Sequence, residues 1–303
     1  MRQQDWQGVF PAVTTPFNQD LSINYPALRR HVSWLLNSGC KGIIILGSLS
    51  ESPTLTMPEK TEMLRQCKDQ IGGRAPLVAG VSGLATAEAV QLARTAEEVG
   101  CDGLMVLPHF VYRSDWRETE AHISAVISAT SLPCMLYNNP ISYDIDVTPA
   151  QIATLTKHPN FCAVKESSGD VRRVAAIREL LGNRLAVFVG LDDLVVESVA
   201  AGAVGWVAGL ANALPLESVQ LFDLARSGNA AETWRLYQWF LPLLRLDVVP
   251  KFVQLIKLVQ KETGTGSPAV RPPRLELEES EREEVLMMIR ERLAQRPAVL
   301  VEH

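Results

Sequence analysis

A lysine at the end of an apolar run is the residue whose setting points most directly to chemistry. Lys165 closes the stretch Phe161-Cys162-Ala163-Val164, which reads as a buried strand. Burying an ammonium there is costly and lowers its pKa, and the neutral amine is the form that attacks a carbonyl. The structural alternative is a buried Lys165–Glu166 ion pair, but adjacent strand residues point to opposite faces. Tyr137 stands at the same level, near the end of the preceding apolar run. A phenol beside an amine can shuttle protons while a carbinolamine forms and loses water; a core tyrosine with a satisfied hydroxyl is the plainer fate. The turn Gly47-Ser48-Leu49-Ser50-Glu51-Ser52 follows another apolar run. Its backbone N–H groups and the Ser48 and Ser50 hydroxyls can hold a carboxylate. Turns of this composition are common, so its weight comes from standing beside the amine and the phenol. The three together describe Schiff-base chemistry on a small 2-oxo acid.

Other polar residues read more simply as structure. His109, between Pro108 and Phe110, fits packing as well as acid–base work. Asp192 and Asp193 open a helix, where N-capping accounts for them better than metal binding. Glu51 is expected to hydrogen-bond within its own turn. Trp234, Tyr237, Trp239 and Phe240 share one helix and suit a core or a subunit contact. Pro250-Lys251-Phe252 is placed where it can lean over the site.

The elements that must carry these residues form a regular alternation. Eight short apolar runs are present: Val9–Thr15, Gly42–Gly47, Pro76–Val81, Gly103–Pro108, Cys134–Asn139, Phe161–Glu166, Leu185–Gly190 and Gly205–Leu210. Each is nearly continuous in hydrophobicity, as expected of parallel strands buried on both faces. Helical periods fill the gaps at Ala27–Asn37, Glu59–Gln70, Thr86–Val99, Asp115–Ala129 and Asp170–Leu181, with start signals such as Pro58-Glu59 and Thr148-Pro149. The fold class is therefore α/β, a closed (β/α)₈ TIM barrel, with a doubly wound sheet as the lesser alternative. Beyond Asn212 the strands stop. Leu216–Arg226 reads as the eighth barrel helix, and Ala230–Leu246, Pro250–Glu262 and Glu279–Ala294 as a helical appendage broken by Pro242, Pro250 and the loop Gly264–Pro273. A catalytic barrel over 1–226 and a C-terminal helical extension over 227–303, packed as one body, are expected.

Bulk properties exclude several classes. The chain has 303 residues, 47% hydrophobic and 21% charged, with a formal net charge of −5. No basic stripe is present to neutralise phosphates, so nucleic acid is excluded as a partner. The start Met1-Arg2-Gln3-Gln4-Asp5 lacks the apolar core of a signal peptide. No segment reaches the roughly 18 apolar residues that span a bilayer. Cys40, Cys67, Cys101, Cys134 and Cys162 are odd in number and show no metal-site spacing, which fits reduced thiols in a cytoplasmic protein.

These pieces resemble the dihydrodipicolinate synthase / N-acetylneuraminate lyase family of class I aldolase-type enzymes. The resemblance runs over essentially the whole chain. It extends from Gly8-Val9-Phe10-Pro11-Ala12-Val13-Thr14-Thr15-Pro16-Phe17, through the Gly47–Glu51 turn and Tyr137-Asn138-Asn139-Pro140, to Val164-Lys165-Glu166-Ser167-Ser168-Gly169-Asp170. It implies that Lys165 is the Schiff-base lysine and Tyr137 the proton relay. Ser48 takes the place of the first hydroxyl in the family's Gly-Thr-Thr-Gly-Glu turn, and the backbone of Ser48 and Leu49 binds the substrate carboxylate. Gly47 and Ser50 complete that seat, while Gly190 and Val207 line the pocket. A homotetramer built from tight dimers, and no metal or organic cofactor, are further implications.

Departures from the family pattern bear on substrate. Leu49 stands where the turn's second hydroxyl belongs, and Ser50 replaces its glycine. The tyrosine that the synthase receives from a partner subunit corresponds to Phe110, so the relay is broken unless Tyr112 substitutes. Ile141-Ser142-Tyr143-Asp144 holds no counterpart of the arginine that receives the semialdehyde carboxylate. The wording of Gly103–Pro108, Val111–Asp115, Tyr137–Tyr143 and Trp206–Gly209 resembles members that handle five-carbon 2-oxo acids. Within that subgroup the implied activity is 1-pyrroline-4-hydroxy-2-carboxylate deaminase, which yields 2,5-dioxopentanoate and ammonia. A 2-keto-3-deoxy-pentonate dehydratase, a pyruvate-releasing aldolase, the synthase itself and a non-catalytic 2-oxo acid sensor remain as alternatives. The elimination needs an acid for the leaving hydroxyl, and the sequence offers no candidate.

Overall fold

The computed structural model describes residues 5–297. The first four residues, where no signal peptide was expected, and 298–303, the end of the expected extension, lie outside the described residues. Eight strands alternate with helices. They are β1 (Gly8–Pro11), β2 (Ile43–Ile45), β3 (Leu77–Val81), β4 (Gly103–Val106), β5 (Cys134–Asn138), β6 (Phe161–Glu166), β7 (Ala186–Val189) and β8 (Gly205–Ala208). All pair in parallel, in the order β1-β8-β7-β6-β5-β4-β3-β2. The seam between β1 and β2 is closed by the bridge Ala12↔Ile44 and by Lys41 N donating to Val9 O at 2.9 Å. The sheet is thus a (β/α)₈ barrel, as the alternation of apolar runs and helical periods leads one to expect.

The outer helices are α1 (Tyr25–Asn37), α2 (Met57–Ile71), α3 (Thr86–Val99), α4 (Trp116–Ser128), α5 (Pro140–Tyr143), α6 (Pro149–Thr154), α7 (Arg172–Leu181), α8 (Val195–Ala200) and α9 (Pro215–Ser227). Local sequence dictates several starts. Thr56 with Glu59 and Thr148 with Gln151 form capping boxes, and Asp115 accepts from Glu118 N. Six of the eight strands, all but β3 and β6, stop short of the C-terminal ends of the apolar runs that announce them. Gly47, Gly190 and Gly209 fall just past the strand ends, where they line the site.

Three further helices follow: α10 (Ala230–Leu244), α11 (Phe252–Glu262) and α12 (Glu279–Ala294). Pro242 lies inside α10 rather than breaking it. It sits in the last turn, where the missing N–H removes a single helical bond, and Trp239, Phe240, Leu243 and Leu244 around it are buried. α11 crosses the barrel mouth side and is tied there by Thr14 Oγ1 donating to Gln260 Oε1 at 2.8 Å and by a buried ion pair, Lys257 Nζ–Glu51 Oε1 at 2.5 Å. Glu51 therefore does not spend its side chain in its own turn. Its other oxygen accepts from Arg271 N at 3.0 Å, so the turn is bolted to the C-terminal segment. Trp239 Nε1 donates to Arg292 O at 2.7 Å, and Tyr237 Oη to Asp193 O, while Trp234 is exposed.

All five cysteines are free, and burial pushes the thiols of Cys40 and Cys101 up to about 12. Among the described residues no helix is long and apolar enough to cross a membrane.

Candidate active site

The strand ends that carry Lys165 and Tyr137 are neighbours in register: Tyr137 pairs with Lys165 across β5 and β6. Side chains at the same level of adjacent parallel strands emerge side by side, and Lys165 Nζ lies 3.8 Å from the centroid of the Tyr137 ring. Glu166 emerges on the opposite face, where it accepts from Ser168 N at 2.7 Å and Asn138 Nδ2 at 3.2 Å. The Lys165–Glu166 ion pair is thereby excluded on geometry.

Both groups open into a cavity of about 390 Å³ at the C-terminal end of the barrel, within the range of ligand pockets. Gly47, Ser48, Leu49, Tyr137, Lys165, Gly190 and Val207 line it together. Ser50 does not. It is buried behind the turn, where its hydroxyl donates to Val13 O at 2.5 Å and its carbonyl accepts from Thr15 Oγ1 at 2.6 Å. A role for Ser50 in touching substrate is corrected accordingly: it braces the turn against the start of the chain. The N–H groups of Ser48 and Leu49 take part in none of the turn's hydrogen bonds among the described residues, whereas Glu51 N donates to Ser48 O at 3.0 Å. Two free donors at the cavity wall are chemically suited to hold a carboxylate.

Burial dominates the electrostatics. It pulls the Lys165 ammonium down to about 8, against the opposing attraction of Asp247 and Asp192. The Tyr137 phenol is pushed up to about 12 by the same loss of water. Its oxygen accepts from Asn139 Nδ2 at 2.8 Å, and the Asn139 side-chain oxygen caps α5 by accepting from Ser142 N at 3.0 Å. One residue thus fixes both the phenol and the short helix beside it.

That helix delivers a group the sequence reading passed over. Tyr143 Oη is hydrogen-bonded to Ser48 Oγ, and its ring meets that of Tyr137 edge to face, centroids 6.0 Å apart. A hydroxyl flanked by two phenols is therefore assembled within one chain. Phe110 packs on Tyr143 at 5.8 Å between centroids. Tyr112 is exposed and stacked on His109, whose Nε2 is 2.6 Å from Ser114 Oγ, so neither enters the cavity.

Two more absences from the sequence reading concern charge. Asp247 and Val248, in the turn between α10 and α11, form one wall with Pro250 and with Phe252 at the start of α11, the two residues expected to lean over the site, and Arg274 reaches the same cavity from the loop before α12. Asp192 does not act as a helix cap. It is wholly buried and accepts from Trp206 Nε1 at 2.8 Å, Leu210 N at 2.7 Å and Gly209 N at 3.1 Å, which pins the end of β8. No periodic or capping signal marks Asp247 or Arg274, because what they meet lies far off in sequence: Gly209 and Lys165 for Asp247, Glu51 for Arg274. Among the described residues no group of three or more His, Cys, Asp or Glu is placed to hold a metal.

Two glycines are required by close approach. A Cβ at Gly190 would come 2.5 Å from Lys165 Cε and 2.0 Å from Ser167 Oγ; one at Gly209 would come 2.0 Å from Asp247 Oδ1. Bare backbone at these two strand ends is what lets the lysine and the aspartate reach the cavity.

The profile of the Dihydrodipicolinate synthetase family matches residues 5–292. A 4-hydroxy-tetrahydrodipicolinate synthase from Desulforamulus reducens is 30% identical over 286 residues, covering 94% of this chain and 97% of its own. The enzyme of the same name from Staphylococcus carnosus is 31% identical over 282 residues, covering 92% and 95%. Among solved structures, the chloride-inhibited dihydrodipicolinate synthase from Acinetobacter baumannii complexed with pyruvate superposes with a TM-score of 0.90 at 25% identity, covering 94% of this chain and 98% of that one. A match across nearly the full length, on a shared barrel with an amine at the end of its sixth strand, has one reading: this chain belongs to the dihydrodipicolinate synthetase family and is a Schiff-base lyase of the class I aldolase type.

Proposed function

We propose that Lys165 forms the Schiff base with C2 of a small 2-oxo acid or cyclic imine, and that the substrate is 4-hydroxy-1-pyrroline-2-carboxylate, which is deaminated to 2,5-dioxopentanoate. The observation that carries the first part is the Lys165 amine, brought to about 8 by burial and seated on Tyr137 inside a cavity. Attack on C2 and transimination open the ring. The protonated Schiff base then acidifies C3 as an electron sink. Tyr137 and Tyr143, joined through the Ser48 hydroxyl, form the relay that takes and returns that proton, while Ser48 N and Leu49 N hold the carboxylate. Loss of the C4 hydroxyl, tautomerisation to an imine at C5 and hydrolysis give ammonia and the dioxo acid.

The substrate assignment is supported by Ile141-Ser142-Tyr143-Asp144, which brings a phenol rather than an arginine to the cavity. A second reading, the condensation in the relatives' name, is favoured by Arg274, a cation at the same cavity able to receive a second carboxylate. Borohydride trapping read by intact mass, with pyruvate and with the pyrroline in parallel, separates the cases. Deamination is expected to give an adduct with the pyrroline that has lost water, missing in Lys165→Ala, and free ammonia on turnover. Condensation of pyruvate with aspartate semialdehyde at a comparable rate would favour the second reading. No adduct with either ligand in the folded protein would overturn the Schiff base on Lys165.

A cytoplasmic homotetramer is part of the same proposal. Val111 and Tyr112 are exposed on the loop before α4 and Ile141 on α5, the Arg113–Asp144 ion pair joins the two segments, and they offer apolar surface to a second copy. Sedimentation giving a monomer at micromolar concentration would remove the assembly from the proposal.

A further inference from the structure

Two carboxyl groups flank Gly209 at the end of β8, and they are not equivalent. Asp192 is saturated with donors: Trp206 Nε1, Gly209 N and Leu210 N all point at it. Asp247 has no such support. Its Oδ1 is sealed from solvent and receives no hydrogen bond among the described residues, although its residue lines the cavity. Both carboxyls act on the charge of Lys165, and Asp192 raises the affinity of Asp247 for a proton. When two carboxyls share a site with one cation, one of them keeps its proton, and it is the one without donors to stabilise an anion. A sealed oxygen with no donor is a poor place for a negative charge and a good place for an O–H. Burial and the neighbouring Asp192 hold the Asp247 carboxyl well above the usual carboxylate range.

We propose that Asp247 is a general acid of this enzyme, giving its proton to the oxygen that leaves C4 of the substrate bound to Lys165. The inference rests on the Schiff-base reading above. After C3 loses its proton, the Lys165-bound substrate is an enamine. Its nitrogen lone pair re-forms the C2=N bond, the C2=C3 pair moves to C3=C4, and the C4–O bond breaks. The oxygen takes the Asp247 proton and departs as water. An iminium cation appears on Lys165 as a carboxylate appears on Asp247, so the step creates two opposite charges side by side in a site of low polarity. Water from the final hydrolysis returns the proton. Gly209 has a role in this too, because any side chain there would occupy the space of the Asp247 carboxyl.

The test uses Asp247→Asn with 4-hydroxy-1-pyrroline-2-carboxylate and its 4-fluoro counterpart. Fluoride leaves without a proton, so it needs no acid. The expected result is a kcat on the hydroxy substrate lowered roughly 10²–10⁴-fold, with the deficit on the fluoro substrate shrunk to under about tenfold. Exchange of the C3 protons of pyruvate with deuterium, read by NMR, is expected to persist in the variant. Equal deficits on both substrates, or lost exchange, would mean that Asp247 positions Lys165 instead and would overturn the proposal. Native turnover in the variant would also overturn it. If the native protein neither traps nor exchanges pyruvate, the Schiff-base reading has failed rather than this one. Should the variant not fold, the native protein carries the test: kcat on the hydroxy substrate is expected to fall at alkaline pH where kcat on the fluoro substrate does not. Lys165 on β6, Tyr137 on β5, and Asp192 and Asp193 after β7 all face Asp247, but they act alike on both substrates. Identical profiles would therefore overturn the proposal.

Discussion

Lys165 is poised by what surrounds its stem as much as by what surrounds its amine. Water is excluded from the Nζ, so the neutral form gains population as pH rises through about 8. Since the neutral amine is the nucleophile, the initial rate of borohydride-trappable adduct formation with pyruvate is expected to climb between about pH 6.5 and 8.5. A rate flat across that window would mean that the amine is already neutral or that another step limits. The stem depends on Gly190. In Gly190→Ala the new methyl would meet Lys165 Cε at 2.5 Å and Ser167 Oγ at 2.0 Å, contacts that only a shift of the lysine relieves. Trapping by this variant is expected to drop at least about tenfold, because a displacement near 1 Å can cost about 10²-fold in rate. A native trapping rate in Gly190→Ala would show that the lysine has room to spare.

At the scale of elements, the short α5 and the long α11 do work that strand order alone does not predict. α5 exists because Asn139 caps it and Pro140 fits its first turn. Its result is to put Tyr143 on Ser48. Tyr143→Phe removes one hydroxyl from the relay and should lower kcat by roughly 10–100-fold, with the Lys165 adduct still trappable; an unchanged kcat would exclude Tyr143 from the proton path. α11 places Lys257 against Glu51, both almost fully buried, with Lys257 Nζ also 4.5 Å from the Phe17 ring centroid. Removing one member of a buried pair strands the other charge, so Lys257→Met should destabilise by about 3–5 kcal/mol. Replacing both by Lys257→Met with Glu51→Gln should recover part of that loss. Denaturant titration of the three proteins decides it, and additive losses would mean that the two residues do not act as a pair.

For the whole molecule, the cavity is a joint product of barrel and C-terminal segment. We propose that 1–226 forms the catalytic barrel and 227–303 an extension that cannot be separated from it functionally, since Asp247, Phe252 and Arg274 wall the cavity. Arg271 shows how the segment is held: it is bidentate to Glu59 at 2.9 and 3.0 Å and also donates to Leu21 O and Thr54 O. Arg271→Ala is expected to cost about 1.5–3 kcal/mol and to lower Tm by several degrees, with KM rising as the wall loosens. An unaltered Tm would show that the segment is anchored elsewhere, with the buried Lys257–Glu51 pair the leading anchor.

Local rules were enough for much of this. Eight continuous apolar runs spaced by helical periods dictate a parallel barrel, because strands buried on both faces show no alternation. A lysine and a tyrosine at strand ends then fall at its mouth, and period-2 alternation already separates Lys165 from Glu166. The limits lie where a side chain's partner is remote in sequence. The orientation of Ser50 depends on Val13, the fate of Glu51 on Lys257 and Arg271, and the freedom of Asp192 from capping duty on Trp206 and Leu210. Tyr143 was visible only as a residue that is not arginine, because a four-residue helix leaves almost no periodic signal. Asp247 and Arg274 sit in a turn and a loop whose sequences carry no mark of a cavity. Spacing along the chain determines which residues share an element; only the closing of the barrel and the folding back of its last helices decide which charges share a site.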